Sequence, residues 1–210
     1  MIVSEFPLIS QPEFDEACQQ LEELFARKGN AQDDWLSVTV KQQYGTKYLK
    51  ITKALRDIPA KREPDEEPDT DEMIEEDDEA LSTHSPHDAQ AILEYDIILS
   101  ASYRVPVLYI GVKDTLLRYP ITAETIPHIV PSHFQAQVSE VGAMGAITGT
   151  DHPVTNLPVF FIHPCRTMTA LEACASSGLD SLQYLKLWMG IVGCCVGLSV
   201  PSCLAIEDSY

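Results

Sequence analysis

The sequence has no run of about 18 or more apolar residues, so nothing in it reads as a membrane span. The nearest stretch, Leu185 to Val200, is short and is interrupted by Lys186 and several glycines. There is no Cys-x-x-Cys pair, which removes the usual spacing of a structural zinc site. Gly-x-Ser-x-Gly is missing, which argues against a serine hydrolase. Gly142, Gly145 and Gly149 do not make a phosphate-binding loop. Cationic residues are scarce: Lys and Arg number 14 against 32 Asp and Glu, for a net charge of −18. A chain this acidic offers no surface for nucleic acid phosphates or anionic lipid. Met1 to Pro7 lack a basic flank and a continuous apolar core, which argues against a secretory signal. Six cysteines in 210 residues are too sparse for a disulfide framework and read as reduced cytosolic thiols.

The acidity is concentrated. Residues 57–88 hold 14 acidic and 2 basic side chains, together with Pro59, Pro64, Pro68 and Pro86. That composition cannot bury enough apolar surface to offset its ordering entropy. It reads as a disordered insertion within one domain spanning residues 1–210, and as a solvated spacer without chemistry of its own.

Around it the apolar pattern describes an α+β domain. Ser10 and Glu13 have capping-box spacing, and Phe14, Ala17, Cys18, Leu21, Leu24 and Phe25 repeat with helical period, which predicts a helix from Pro12 to Lys28. Leu36, Val38 and Val40, then Leu49 and Ile51, alternate with polar residues around Tyr44-Gly45-Thr46, which predicts a hairpin. Leu93, Tyr95, Ile97, Leu99, Ala101 and Tyr103 alternate along one face, and Val105–Val112 is apolar on both. These two runs pair with a turn near Arg104. Thr122–Val141 holds helical segments broken by Pro127 and Pro131, and Leu157–Ile162 reads as another strand. Helices at Thr167–Ala175 and Ser181–Val192 close the chain. The expectation is a four-stranded, mainly antiparallel sheet with flanking helices.

The stretch with most chemistry is Phe160-Phe161-Ile162-His163-Pro164-Cys165-Arg166-Thr167. A strand ends at Ile162, Pro164 stiffens the exit, and Cys165 stands just ahead of a helix. Helix N-terminal amides and Arg166 beside a thiol favour thiolate and stabilise an oxyanion. Cysteine suits acyl carrying because its thiolate is strongly nucleophilic and its thioester can be cleaved by an amine. On these residues alone, a small buried cysteine and a reactive one both stand open. Cys18, Cys174, Cys194, Cys195 and Cys203 sit in apolar helical or terminal patterns and read as packing residues.

His-Pro-Cys-Arg-Thr after an aromatic strand resembles the active site of autophagy-type conjugating enzymes, most closely the autophagy-related protein 10 family. Supporting segments lie in the family's order: Tyr95-Asp96-Ile97-Ile98-Leu99-Ser100-Ala101-Ser102-Tyr103-Arg104-Val105-Pro106-Val107-Leu108-Tyr109, then His152-Pro153 ahead of Leu157–Phe161, then Leu187–Gly193 with Val196-Gly197-Leu198. The resemblance covers residues 90–200. It implies a fold related to ubiquitin-conjugating enzymes. It also implies a thioester on Cys165 with autophagy-related protein 12, received from the activating enzyme, autophagy-related protein 7. Transfer to a lysine of autophagy-related protein 5 would follow, without metal or small-molecule cofactor. The setting implied is the cytoplasm, with a peripheral position at the forming autophagosome membrane. A supporting tyrosine maps to Tyr103, and a second polar group to His152 or Asn156. His163 is expected to orient the loop by hydrogen bonding.

Three rivals stand beside this. The lipid-conjugating autophagy-related protein 3 type shares His-Pro-Cys, but the amino end here lacks a basic apolar anchor. A cysteine hydrolase would draw its base from His84, His87, His128, His133 or His152. A binding module of the same fold would lack an accessible thiol.

Overall fold

The computed structural model describes residues 1–55, 90–135, 147–175 and 178–206. The acidic stretch 57–88 lies outside the described residues, as does the end of the expected Thr122–Val141 segment. Six strands form one sheet: β1 (Trp35–Gln43), β2 (Thr46–Ala54), β3 (Ile92–Leu99), β4 (Pro106–Lys113), β5 (Ile147–Asp151) and β6 (Pro158–Ile162). Their spatial order is β1-β2-β3-β4-β6-β5, and every neighbouring pair is antiparallel. Helices with both ends among the described residues are α1 (Gln11–Lys28), α2 (Ile126–Ile129), α3 (Thr167–Cys174), α4 (Ser181–Trp188) and α5 (Ser202–Ala205), with short 3-10 turns between them.

The four-stranded expectation is therefore two strands short. The strand at Pro158–Ile162 joins the sheet, and β5 was not anticipated. Ile147-Thr148-Gly149-Thr150-Asp151 has one large apolar residue and no alternation to read, because an edge strand has little to bury. The alternation through Tyr103 also overran its strand. β3 stops at Leu99; the Ser100 carbonyl accepts the Arg104 amide at 2.8 Å and its hydroxyl accepts the Tyr103 amide at 3.2 Å. Tyr103 thus sits in a turn, next to Arg104 at φ 53°.

Elsewhere local chemistry explains the elements. The β1–β2 connection is a two-residue turn, Tyr44 at φ 49° and Gly45 at φ 82°, whose twist matches the flanking strands. α1 begins as its capping box requires. The Glu13 carboxylate accepts the Ser10 amide at 2.8 Å and the Ser10 hydroxyl at 2.6 Å, and also takes the Ser4 amide at 2.8 Å. Pro127 starts α2 rather than breaking a helix, a position where its missing N–H costs nothing.

The sheet has two unlike faces. Val38, Leu49, Ile51, Tyr95, Ile97, Leu108, Ile110 and Phe160 point to one side and join the main core with Phe14, Leu21, Leu185 and Trp188 of α1 and α4. Burying that face supplies most of the fold's hydrophobic stabilisation. The register places Tyr48, Asp96, Ile98, Tyr109 and Phe161 on the other side. There Tyr48, Ile98 and Val154 form a second, small cluster against Tyr109. After α4 the chain makes a π-helical turn, Met189–Gly193, and a 3-10 turn ending at Gly197, φ 74°. Gly193 is packed so closely that a Cβ would stand 2.5 Å from the Leu198 carbonyl oxygen.

Two outcomes follow from this packing. Gly193→Ala should lower stability by about 2 kcal/mol, since a backbone clash has to be relieved, whereas Gly190→Ala, with open space at its Cβ, should not; urea denaturation of both variants reads the difference. Burial pushes the Glu13 carboxyl up, but the bonds from Ser10 and Ser4 outweigh it and hold the pKa at about 2 against the ordinary 4.5. A pKa depressed on folding adds stability above the unfolded value, and that contribution disappears as pH falls through the folded one. Thermal unfolding of the protein should therefore lose stability between about pH 4.5 and 2, and Glu13→Gln should flatten that loss while lowering the melting temperature at neutral pH.

Candidate active site

β6 carries two side-chain rows. Phe160 goes into the main core at 1 % exposure, and Phe161 lies half-buried on the opposite face. The chain then leaves the sheet through His163, makes a single 3-10 turn, Pro164–Arg166, and continues into α3. Pro164 and Thr167 are buried and anchor the turn on both sides, while Cys165 and Arg166 are exposed. The turn is braced from within. Nδ1 of His163 accepts the amide of Cys165 at 3.1 Å, and the Thr167 amide returns to the Pro164 carbonyl. The amides of Cys165 and Thr167 are thus engaged in bracing the turn.

The accepting role of Nδ1 has a second consequence. In a neutral imidazole it places the proton on Nε2. The lone pair nearest the Cys165 backbone is committed to holding the loop, so it does not double as acceptor for the thiol proton. The ring is solvent-exposed but meets two aromatic side chains: Tyr103 presents to it edge-on at 5.7 Å and 80°, and Phe161 lies 6.0 Å away at 60°. The structure therefore brings three of the residues named from sequence, Cys165, His163 and Tyr103, into one cluster.

It does not bring the other two there. His152 and Asn156 belong to the β5–β6 connection, which precedes β6, whereas Cys165 follows it; the length of the strand separates them. His152 is 1 % exposed and organises that connection. Its Nδ1 accepts the amides of Val154 and Thr155 at 3.2 and 3.1 Å, and its Nε2 lies 3.2 Å from Asp96 Oδ2. Tyr48 and Tyr109 approach its ring at 5.9 and 5.4 Å. Lys50 stands 3.4 Å from the same Asp96 oxygen and 3.1 Å from Glu94. Burial pushes the Lys50 amine down, and the two carboxylates more than reverse this, so it is raised overall. Asn156 is exposed at φ 56° and donates its amide to the His152 carbonyl at 2.9 Å. The Asp96–His152 pair escaped the sequence reading because nothing along the chain shows that two residues so far apart meet across a sheet.

The six cysteines separate by surroundings. Cys18 is buried in α1, and burial pushes its thiol far up. Burial also raises Cys194, and raises Cys195 to about 11. Cys165 and Cys174 are exposed. Among the described residues no group of three or more His, Cys, Asp or Glu side chains is arranged to hold a metal ion, and no helix is long and apolar enough to cross a membrane.

The family model for the autophagocytosis-associated protein, active-site domain, matches residues 13–203. The chain belongs to this family. Its relatives include the ubiquitin-like-conjugating enzyme ATG10 of Gibberella zeae, 28% identical across 99% of this chain and 100% of the relative. The proteins of the same name from Homo sapiens and Arabidopsis thaliana are each 33% identical, over 51% of this chain and 50% of their own length. The family seen in His-Pro-Cys and its flanking segments is thus the family to which the chain belongs.

Exposure makes a direct prediction. A short pulse of iodoacetamide on the folded protein should alkylate Cys165 and Cys174 and leave Cys18 unmodified until denaturant is added, as read by peptide mass spectrometry.

Proposed function

We propose that Cys165 carries a ubiquitin-like protein as a thioester and passes it to a lysine of an acceptor protein. The observation that carries this reading is the geometry of the turn: an exposed thiol held forward by a buried proline, a buried threonine and the His163–Cys165 bond. The names of the relatives support the class of reaction. In loading, the Cys165 thiolate attacks the thioester carbonyl of a charged activating enzyme; a new C–S bond forms and that enzyme's thiolate leaves. In transfer, a neutral lysine amine attacks the Cys165 thioester, the C–N bond forms, the C–S bond breaks, and the ammonium proton goes to solvent. Sulfur is the atom suited to both steps, nucleophilic on arrival and a good leaving group on departure.

The partners that fit are autophagy-related protein 12 as cargo, autophagy-related protein 7 as the activating enzyme and autophagy-related protein 5 as acceptor, with the work done in the cytoplasm at the periphery of the forming autophagosome membrane. One conjugating-enzyme domain is the reading that accords with a single main core drawing on α1, all six strands and α4. Tyr103 supports the site by closing one side of His163, and His163 orients the loop. His152, held away from the cysteine, is assigned a structural part in the β5–β6 connection.

The test is a charging reaction with autophagy-related protein 7, ATP and autophagy-related protein 12, resolved on a non-reducing gel. The expected adduct disappears on adding thiol. Cys165→Ser should give an adduct that survives thiol, Cys165→Ala none, and Cys174→Ser the wild-type result. An adduct that persists in Cys165→Ala, or no adduct in the wild type, would overturn the reading.

A further inference from the structure

We propose that Phe161 is a positioning residue for Cys165, acting through the ring of His163. This rests on the reading of Cys165 as acyl carrier. Phe161 is a large apolar side chain half-buried on the sheet face opposite the main core, a setting that suits an aromatic ring but would equally accept other apolar strand residues. What it does there is visible in its neighbours. On one side it faces His163 at 6.0 Å; on the other it stacks on Tyr109 at 6.1 Å with an interplanar angle of 20°. Tyr109 in turn meets His152 at 5.4 Å, and His152 is held by two backbone amides on Nδ1, with its Nε2 3.2 Å from Asp96 Oδ2 but outside hydrogen-bond geometry. The rings form a ladder whose foot is buried and whose last rung is the imidazole that accepts the Cys165 amide.

Tyr103 meets the same imidazole edge-on. In contact with both rings, the exposed imidazole is restricted in turning about its side-chain torsions, and Nδ1 stays aimed at the Cys165 N–H. Remove Phe161 and the bond must be made by a ring free to swing. The thiol remains exposed, but its direction is no longer set. Small misplacements of a reacting group lower rates steeply when the partner is itself held by a large binding surface. A small, freely diffusing reagent does not depend on that direction.

That difference supplies the test. Phe161→Leu keeps an apolar side chain and removes the ring; Phe161→Tyr keeps the ring. In single-turnover charging from thioester-loaded autophagy-related protein 7, Phe161→Leu should lower the maximal rate about tenfold, without a comparable rise in the half-saturating concentration, and Phe161→Tyr should recover most of it. Iodoacetamide alkylation of Cys165, measured against Cys174 in the same molecule, should not fall in Phe161→Leu. Three results would overturn the proposal: an unchanged charging rate in Phe161→Leu, alkylation of Cys165 falling in step with charging, or Phe161→Tyr as defective as Phe161→Leu. Tyr103 lies in an exposed turn, so Tyr103→Leu and Tyr103→Phe keep the question answerable if Phe161→Leu does not fold. The leucine variant should then be slow and the phenylalanine variant not, and equal rates in the two would count against the ladder. The alkylation ratio needs no partner protein, so a failure of the ladder is distinguishable from a failure of the Cys165 assignment, which Cys165→Ser decides in the same gel.

Discussion

The amide of Cys165 points back at Nδ1 of His163 across 3.1 Å, and the local architecture is arranged around keeping it there. A residue at the tip of a one-turn 3-10 helix has few neighbours, and an exposed tip is where a backbone ordinarily frays. Here the tip is closed by a bond to the side chain two residues before it, and by the bond from Thr167 to the Pro164 carbonyl. The same histidine cannot serve two masters. By accepting from the backbone it gives up its claim on the sulfur's proton, so the site favours geometry over acid–base assistance.

Much of this was legible in the chain because it is local. Ser10 and Glu13 announced the start of α1, Tyr44-Gly45 announced a tight turn, and the aromatic run into Pro164 announced an exit from the sheet. These signals work because a cap, a two-residue turn and a proline act on atoms a few bonds away. The parts that were hidden depend on partners distant in sequence. β5 is a strand because β6 offers it hydrogen bonds, not because Thr148 and Thr150 insist on it. Tyr103 carried the alternation of a strand, yet the Ser100 side chain and carbonyl won the backbone for a turn, and that turn is what brings its ring to His163. Glu13, read as a capping residue, also gathers the amide of Ser4 and so fastens the segment before α1.

Six thiols that look alike in sequence are made different by where the fold puts them. Cys18 is a packing atom among the apolar side chains of α1, and its thiol is held protonated by the cost of a charge in that setting. Cys165 owes its exposure to its neighbours: Pro164 and Thr167 take the buried positions and leave it the outward one. Helix-flanking sequence alone does not separate these cases. The order of strand, proline, cysteine and helix does, because it fixes which residue of the turn faces out.

β6 delivers the cysteine, and it lies between β4 and β5 rather than at the rim of the sheet. Under the proposed function a protein cargo hangs from the sulfur on a single covalent tether. A strand at the rim can be peeled away one hydrogen bond after another. β6 pairs along its length with β5 and, at Phe160 and Phe161, with β4, so a pull on the loop has to break bonds on two flanks rather than one. The extra strand that the chain's pattern concealed is, on this view, the outrigger that lets so small a turn bear so large a passenger.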